Sequence, residues 1–356
     1  MITVPAQRLG EQINAILAAW GMPRDSVETM VEVMVNTDLR GIDSHGVGML
    51  PAYFKSYRNG KLIPDGEISI LVDLPSMALI DGGHGPGHPS AVFAMSLAIE
   101  KALGTGVGVV TARNSNHYGA AGYYAMMAPE KGLVGLSMTG TPGGGVVPTF
   151  GAKPMLGTNP IAFAAPAKRH PPFVLDMATS TVAIGKLGIA KRLGVPIPEG
   201  WALDREGRPT TDATLAREAR NLTALGGSRT LGSHKGYGLG AMVDILCSTL
   251  SGAAIPCVDE HFGRGSEATN IGHFFMALDP RALRPEGNFE NELDDLIEAL
   301  HATPGVDPDQ PVLVAGEPED EIFAQRKKNG IPLSDRLIEE IKATAKGSGV
   351  AYILHD

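Results

Sequence analysis

Apolar residues at helical spacing dominate roughly the first seventy positions, after which the pattern turns to short strand-like runs. Val27, Met30, Val31 and Met34 recur on one helix face. Asp25, with Glu28 three positions on, predicts a capping-box start for that helix, and Gly41 predicts its stop. Ser44 and His45 therefore fall in the loop that follows. Pro51 suits the first turn of the next helix, whose apolar face carries Tyr53, Phe54 and Tyr57 and which Gly60 ends.

In the middle of the chain, strands are predicted at Met77 to Ile80, Gly106 to Thr111 and Leu133 to Met138. Helices are predicted between them at 89–102 and 118–131. This alternation predicts an α/β layered fold. Further strands are expected at Ile161–Ala164, Phe173–Asp176 and His273–Leu278. Residues 236–252 are apolar nearly all round, which predicts a buried helix. Charged amphipathic helices follow near 288–301, 319–328 and 333–345, after a Pro/Gly-rich linker at 303–311. The tail is expected to pack back on the N-terminal helices. That divides the chain into a discontinuous helical domain, 1–72 plus 312–356, and an α/β domain, 73–311.

At 356 residues the chain is long enough for two lobes. Its formal charge of −9, with no basic block, argues against nucleic acid as a partner. Cys247 and Cys257 are the only cysteines, and they lack metal-ligand spacing. They fit a reducing compartment. The N-terminus shows no leader pattern and no apolar run is long enough for a span, so a cytoplasmic protein without a membrane partner is expected.

Five segments carry candidate chemistry. Asp43-Ser44-His45-Gly46 places an imidazole, which titrates near neutral pH, in a glycine-flanked loop. Asn116-His117-Tyr118-Gly119-Ala120-Ala121 joins a predicted strand to a helix, where open α/β sheets place ligands. Gly157-Thr158-Asn159-Pro160 and Asp176-Met177-Ala178-Thr179-Ser180 gather polar groups at strand ends. His234 and Lys235 stand at the start of the apolar helix, where free N–H groups and the helix dipole favour an anion such as pyrophosphate. Taken singly, each segment also fits ordinary turn and capping chemistry. No strict G-x-G-x-x-G is present. The looser variants at Gly236 to Ala241 and Gly263 to Ala268 do not follow a clear strand, so no Rossmann fingerprint is read. His84 and His88 are four apart, but Gly-Pro-Gly separates them. A metal-dependent hydrolase built on them is the rival from another class, and no metal site is expected.

Read in order, these segments resemble the malate/L-lactate dehydrogenase type 2 family, which includes ureidoglycolate, sulfolactate and ketimine-reducing members. Asp38 to Gly41, Tyr53 to Gly60, Gly185-Lys186, Gly200 to Asp204, Pro209 to Asp212 and His234 to Leu239 extend the match over almost the whole chain. The resemblance implies a non-Rossmann nicotinamide-binding α/β domain with a helical domain from both chain ends, and a homodimer with its active site between domains. It implies a hydride transfer between NAD, with NADP as the alternative, and a small 2-hydroxy or 2-oxo acid such as malate or lactate. A reductase of cyclic imino acids is the nearest alternative. By motif position His45 is the proton-handling residue, Ser44 supports it and His117 is the rival base. Thr158 is expected to touch substrate. His117 to Ala121, Asp176 to Ala178, His234, Lys235 and Gly316-Glu317-Pro318 are expected to line the cofactor, with Arg326 in the same late segment. Many members carry an arginine shortly after Ser-His-Gly that clamps a substrate carboxylate. Met49 lies in that stretch here and cannot do so, so either another cation takes the role, with Lys186 a candidate, or the substrate differs from simple malate.

Overall fold

The computed structural model describes residues 2–141, 145–263, 269–307 and 309–355. Of the second loose glycine motif, residues 264–268 lie outside them. Seven strands form the central sheet, in the spatial order Ser69–Asp73, Met77–Asp81, Val107–Ser115, Ile271–Leu278, Val134–Thr139, Ile161–Ala165 and Phe173–Met177. Among the described strands of this sheet, only Met77–Asp81 and Val107–Ser115 pair in parallel. The other neighbours are antiparallel. The fold is therefore α/β without the parallel order of a doubly wound nucleotide-binding sheet. Strand 271–278 contributes two of these antiparallel pairings. It enters from far along the chain and lies between strands 107–115 and 134–139.

Helices Gly87–Thr105 and Ala121–Met126 supply side chains to the same apolar cluster as Ile80, Val110, Ala162 and Phe275 of the sheet. A four-stranded sheet of short strands, Pro209–Thr210, Ala202–Leu203, Asn221–Thr223 and Val146–Val147, stands apart with its own small core. Another apolar cluster draws on both chain ends, joining Leu9, Ile13, Met30, Met34 and Tyr53 to Ile331, Ile338, Ile341 and Leu354. A two-stranded ladder stitches the ends together, pairing Ile2–Val4 with Ile331–Leu333.

Several local expectations need correction. The helix over Arg24–Leu39 has Pro23 as its N-cap and no side-chain capping bond. Glu28 instead accepts from Arg24 at 2.7 Å, so the capping box does not form. The region predicted as a helix over 118–131 becomes a loop, a helix over Ala121–Met126 and a short 3-10 turn at Pro129–Lys131. The apolar run near 236–252 is helical, with Ser233–Asp244 passing into a π-turn at Ile245–Thr249. It is not buried all round: Ile245 and Leu250 are 57% and 60% exposed in the single chain. The segment 303–311 carries no helix or strand in its described residues. No helix among the described residues is long and apolar enough to cross a membrane.

Candidate active site

Asp38 begins the construction of the site. It sits near the end of helix 24–39 and is buried. Its Oδ2 accepts the Val47 amide at 2.8 Å, which folds the intervening loop back on the helix. Burial pushes its pKa up to about 8. Gly46 lies against this carboxyl so tightly that a Cβ there would stand 2.1 Å from Oδ1. On the outer side, Arg326 donates to the Asp38 carbonyl at 2.7 Å and pairs with the Asp43 carboxylate. Arg326 thereby braces the loop that carries Ser44 and His45.

Within that loop, Ser44 Oγ lies 2.7 Å from His45 Nδ1. The His45 ring stacks on that of His117, with centroids 5.5 Å apart and planes at 26°. Both histidines are half-buried, so protein surrounds them while solvent still reaches them. Burial lowers the pKa of His45. Burial first, and then the nearby histidines, hold His117 well below the usual imidazole range. Two positive rings so close in a water-poor setting would repel, which disfavours charging both at once.

His117 opens a continuous wall. After it, Gly122 donates its amide to Asp176 Oδ2 at 2.7 Å. Asp176 ends a sheet strand with an exposed side chain, yet the protein crowded around it pushes its pKa up to about 6. Two residues past Met177, Thr179 donates to the Thr158 carbonyl from its amide at 2.8 Å and its hydroxyl at 3.1 Å. Leu225 donates to the Thr179 carbonyl at 2.9 Å. Against Leu225 lies Gly236, in the first turn of the helix that starts at Ser233, and a Cβ there would stand 2.4 Å from the Leu225 carbonyl oxygen. His234 and Lys235 are exposed on that turn. On the other side of the strand, Val174 donates to the Ala315 carbonyl at 3.0 Å, which brings in Gly316 and the helix Glu317–Asn329.

The structure thus links His45, Ser44, His117, Gly119, Ala120, Ala121, Thr158, Asp176, Met177, Ala178, His234, Lys235 and Gly316 through adjacent backbone and side-chain contacts. Four further predicted residues have neighbours of their own. Tyr118 is fully buried, its ring stacked on that of His273 at 4.7 Å. Glu317 Oε1 lies 2.7 Å from His301 Nε2, and its Oε2 accepts the Val314 amide. Pro318 occupies the first turn of that helix. Lys186 is exposed, with its Nζ 5.9 Å from the Trp201 ring centre. Met49 is spent on the N-terminal core.

The weighed metal pair takes separate neighbours. His84 Nδ1 meets the Thr269 carbonyl at 2.8 Å, whereas His88 is fully buried edge-on to Tyr53. Among the described residues no three His, Cys, Asp or Glu converge as a metal site. One partner went unread in the sequence: the Tyr53 hydroxyl lies 2.8 Å from His117 Nδ1. Periodicity had marked Tyr53 only as an apolar helix position, and it carries no sign of where a hydroxyl ends.

The family model described as malate/L-lactate dehydrogenase matches residues 4–342. The chain belongs to the malate/L-lactate dehydrogenase family. It is 42% identical over 351 residues to the malate dehydrogenase of Pyrococcus horikoshii, covering 98% of this chain and 96% of that one. The solved structure of the malate dehydrogenase from Pyrococcus horikoshii OT3 superposes with a TM-score of 0.87, at 40% identity, over 98% and 96% of the two chains. An L-sulfolactate dehydrogenase of Methanothermobacter thermautotrophicus is 39% identical over 334 residues, 94% of each chain. The crystal structure of a delta1-piperideine-2-carboxylate reductase from Pseudomonas syringae superposes with a TM-score of 0.81, at 28% identity, over 97% of this chain and 100% of that one.

Proposed function

We propose that this dehydrogenase transfers a hydride between a nicotinamide cofactor, NAD in preference to NADP, and a small 2-hydroxy or 2-oxo acid, with His45 moving the proton. The observation that carries this reading is the stacked His45–His117 pair, open to solvent at the end of the wall described above.

The residues present fit a nicotinamide dinucleotide by their chemistry. An exposed carboxylate, Asp176, suits hydroxyl or amide donors. An exposed cation, Lys235, beside the free amides of a helix start suits a pyrophosphate. Bound there, the nicotinamide supplies the hydride acceptor for oxidation and the donor for reduction. The rest falls to the chain. His45 takes the proton from the substrate hydroxyl in oxidation and returns it to the oxygen in reduction. Ser44 occupies Nδ1, which leaves Nε2 for the substrate. His117, Thr158 and the strand-end backbone orient the acid, and the half-buried setting limits water around the reacting oxygen.

Similarity to a piperideine-carboxylate reductase supports one second reading, reduction of a cyclic imine carrying a carboxylate. One assay separates the two. Pyruvate, oxaloacetate, a sulfonated 2-oxo acid and a cyclic ketimine acid are each tested with NADH and NADPH. The proposal expects turnover of at least one 2-oxo acid and a larger kcat/KM with NADH. Turnover of the ketimine alone would overturn it in favour of the second reading.

The reading includes a homodimer, as the resemblance implies. The exposed apolar Ile245 and Leu250 support it, because a monomer leaves them in water. Sedimentation at micromolar concentration is expected to give twice the chain mass, and a single-chain mass would remove the dimer from the account.

A further inference from the structure

The two stacked histidines are not equivalent, and the groups around His117 say how they differ. Its Nδ1 receives the Gly119 amide at 3.2 Å. An amide can only donate, so this nitrogen accepts and carries no proton. The Tyr53 hydroxyl at 2.8 Å from the same nitrogen must therefore donate as well. Tyr53 is buried, and burial moves its pKa upward, which keeps the phenol protonated. Its ring is braced in turn by His88, edge-on at 5.4 Å and 87°. The ring proton of His117 is left on Nε2.

We infer that Tyr53 is a positioning residue which, with the Gly119 amide, fixes His117 as the neutral Nε2–H tautomer, so that His117 donates a hydrogen bond to the substrate oxygen while His45 alone exchanges protons. This rests on the proposed dehydrogenase reading and goes beyond it by dividing the labour of the two rings. The titratable groups facing His117 all work in one direction. His45, His88 and His273 each disfavour a second positive ring, and Tyr53 offers no negative charge. The Gly119 amide on Nδ1 further opposes protonation there, because the imidazolium would turn its own N–H toward a group that can only donate. His45 has no such obligate donor on Nδ1 in its described contacts. Its Nδ1 meets one hydroxyl, which can donate or accept as the ring gains and loses its proton.

The test is nitrogen-15 NMR of imidazole-labelled protein, with His117 assigned by its absence in His117→Gln, together with kinetics of Tyr53→Phe. In the wild-type protein His117 is expected to show a proton on Nε2 and a bare Nδ1 through neutral pH. Tyr53→Phe keeps the ring but removes the donor. It is expected to mix the tautomers, lower kcat about tenfold, the worth of one positioned hydrogen bond, and leave KM for the cofactor within about twofold. A second ionisation should enter its pH profile as His117 begins to take up protons. A wild-type Nδ1–H signal, or a Tyr53→Phe enzyme with unchanged tautomer and pH profile, would overturn the inference. The NMR signature needs no turnover, so failure to find a substrate would count against the dehydrogenase reading and leave this one standing.

Discussion

His45→Ala is expected to bind cofactor normally and to lose turnover by about 10² to 10⁴, the usual worth of a positioned general acid–base. The substitution removes the ring that stacks on His117 and the partner of Ser44 Oγ. It leaves the described contacts of Asp176, Thr158 and the 233–244 helix untouched. The loss should fall on kcat, because the proton moves in the transition state and not in the ground state. The pH dependence carries a definite sign. Burial lowers the pKa of His45, so the ring is neutral at pH 7 and ready to accept the hydroxyl proton. Oxidation should therefore decline as pH falls through that lowered pKa, and reduction should decline as pH rises through it. Both limbs should vanish in His45→Ala. Steady-state rates in the two directions across pH, with cofactor binding followed by fluorescence, read all of this. A variant within a few-fold of wild-type turnover would remove His45 from the mechanism.

The second large effect is expected at a residue that touches no substrate. Gly46→Ala would place a methyl 2.1 Å from Asp38 Oδ1 and 2.2 Å from its Cγ. The carboxyl cannot withdraw. It is buried, holds the Val47 amide, and belongs to a residue whose carbonyl is held by Arg326. Overpacking of this kind costs about 1–3 kcal/mol, and disturbing the Asp38–Val47 bond adds to it. We expect a stability loss of about 2–3 kcal/mol in denaturant unfolding. We also expect kcat to fall about 10², because the displaced loop carries His45 away from its place. Wild-type stability together with wild-type turnover would show that the Asp38 anchor does not set the position of the loop.

Much of the secondary structure was legible because burial writes itself into periodicity. The helices over 24–39 and 335–347 and the strands over 161–165 and 173–177 lie close to where their apolar spacing predicted. What periodicity does not encode is which elements become neighbours. Nothing in Ile271–Leu278 says that it inserts between 107–115 and 134–139, and nothing in Ile2–Val4 says that it pairs with residues more than three hundred positions away. Glu28 had the spacing of a capping box, but Arg24 lay one turn back and took the carboxylate.

For the site, residue type and order gave His45, His117 and Asp176 as candidates, since imidazoles and carboxylates beside glycines mark themselves. Lys186 was named only as a candidate cation, and the sequence carries no sign that its ammonium lies over the Trp201 ring. Tyr53 was hidden by its own amphipathic character: its ring obeys the helix pattern while its hydroxyl reaches His117. Arg326 lies nearly three hundred residues from Asp43, so only the folded chain joins them.

The central claim is a direct hydride transfer for which His45 supplies the proton. It is tested most directly by a single turnover with NADH carrying deuterium at the transferring C4 position and the 2-oxo acid that the assay selects, in wild type and in His45→Ala. The account predicts deuterium at C2 of the wild-type product, and the same product formed at least about 10²-fold more slowly in the variant. Deuterium absent from C2, or equal rates in the two proteins, would contradict it.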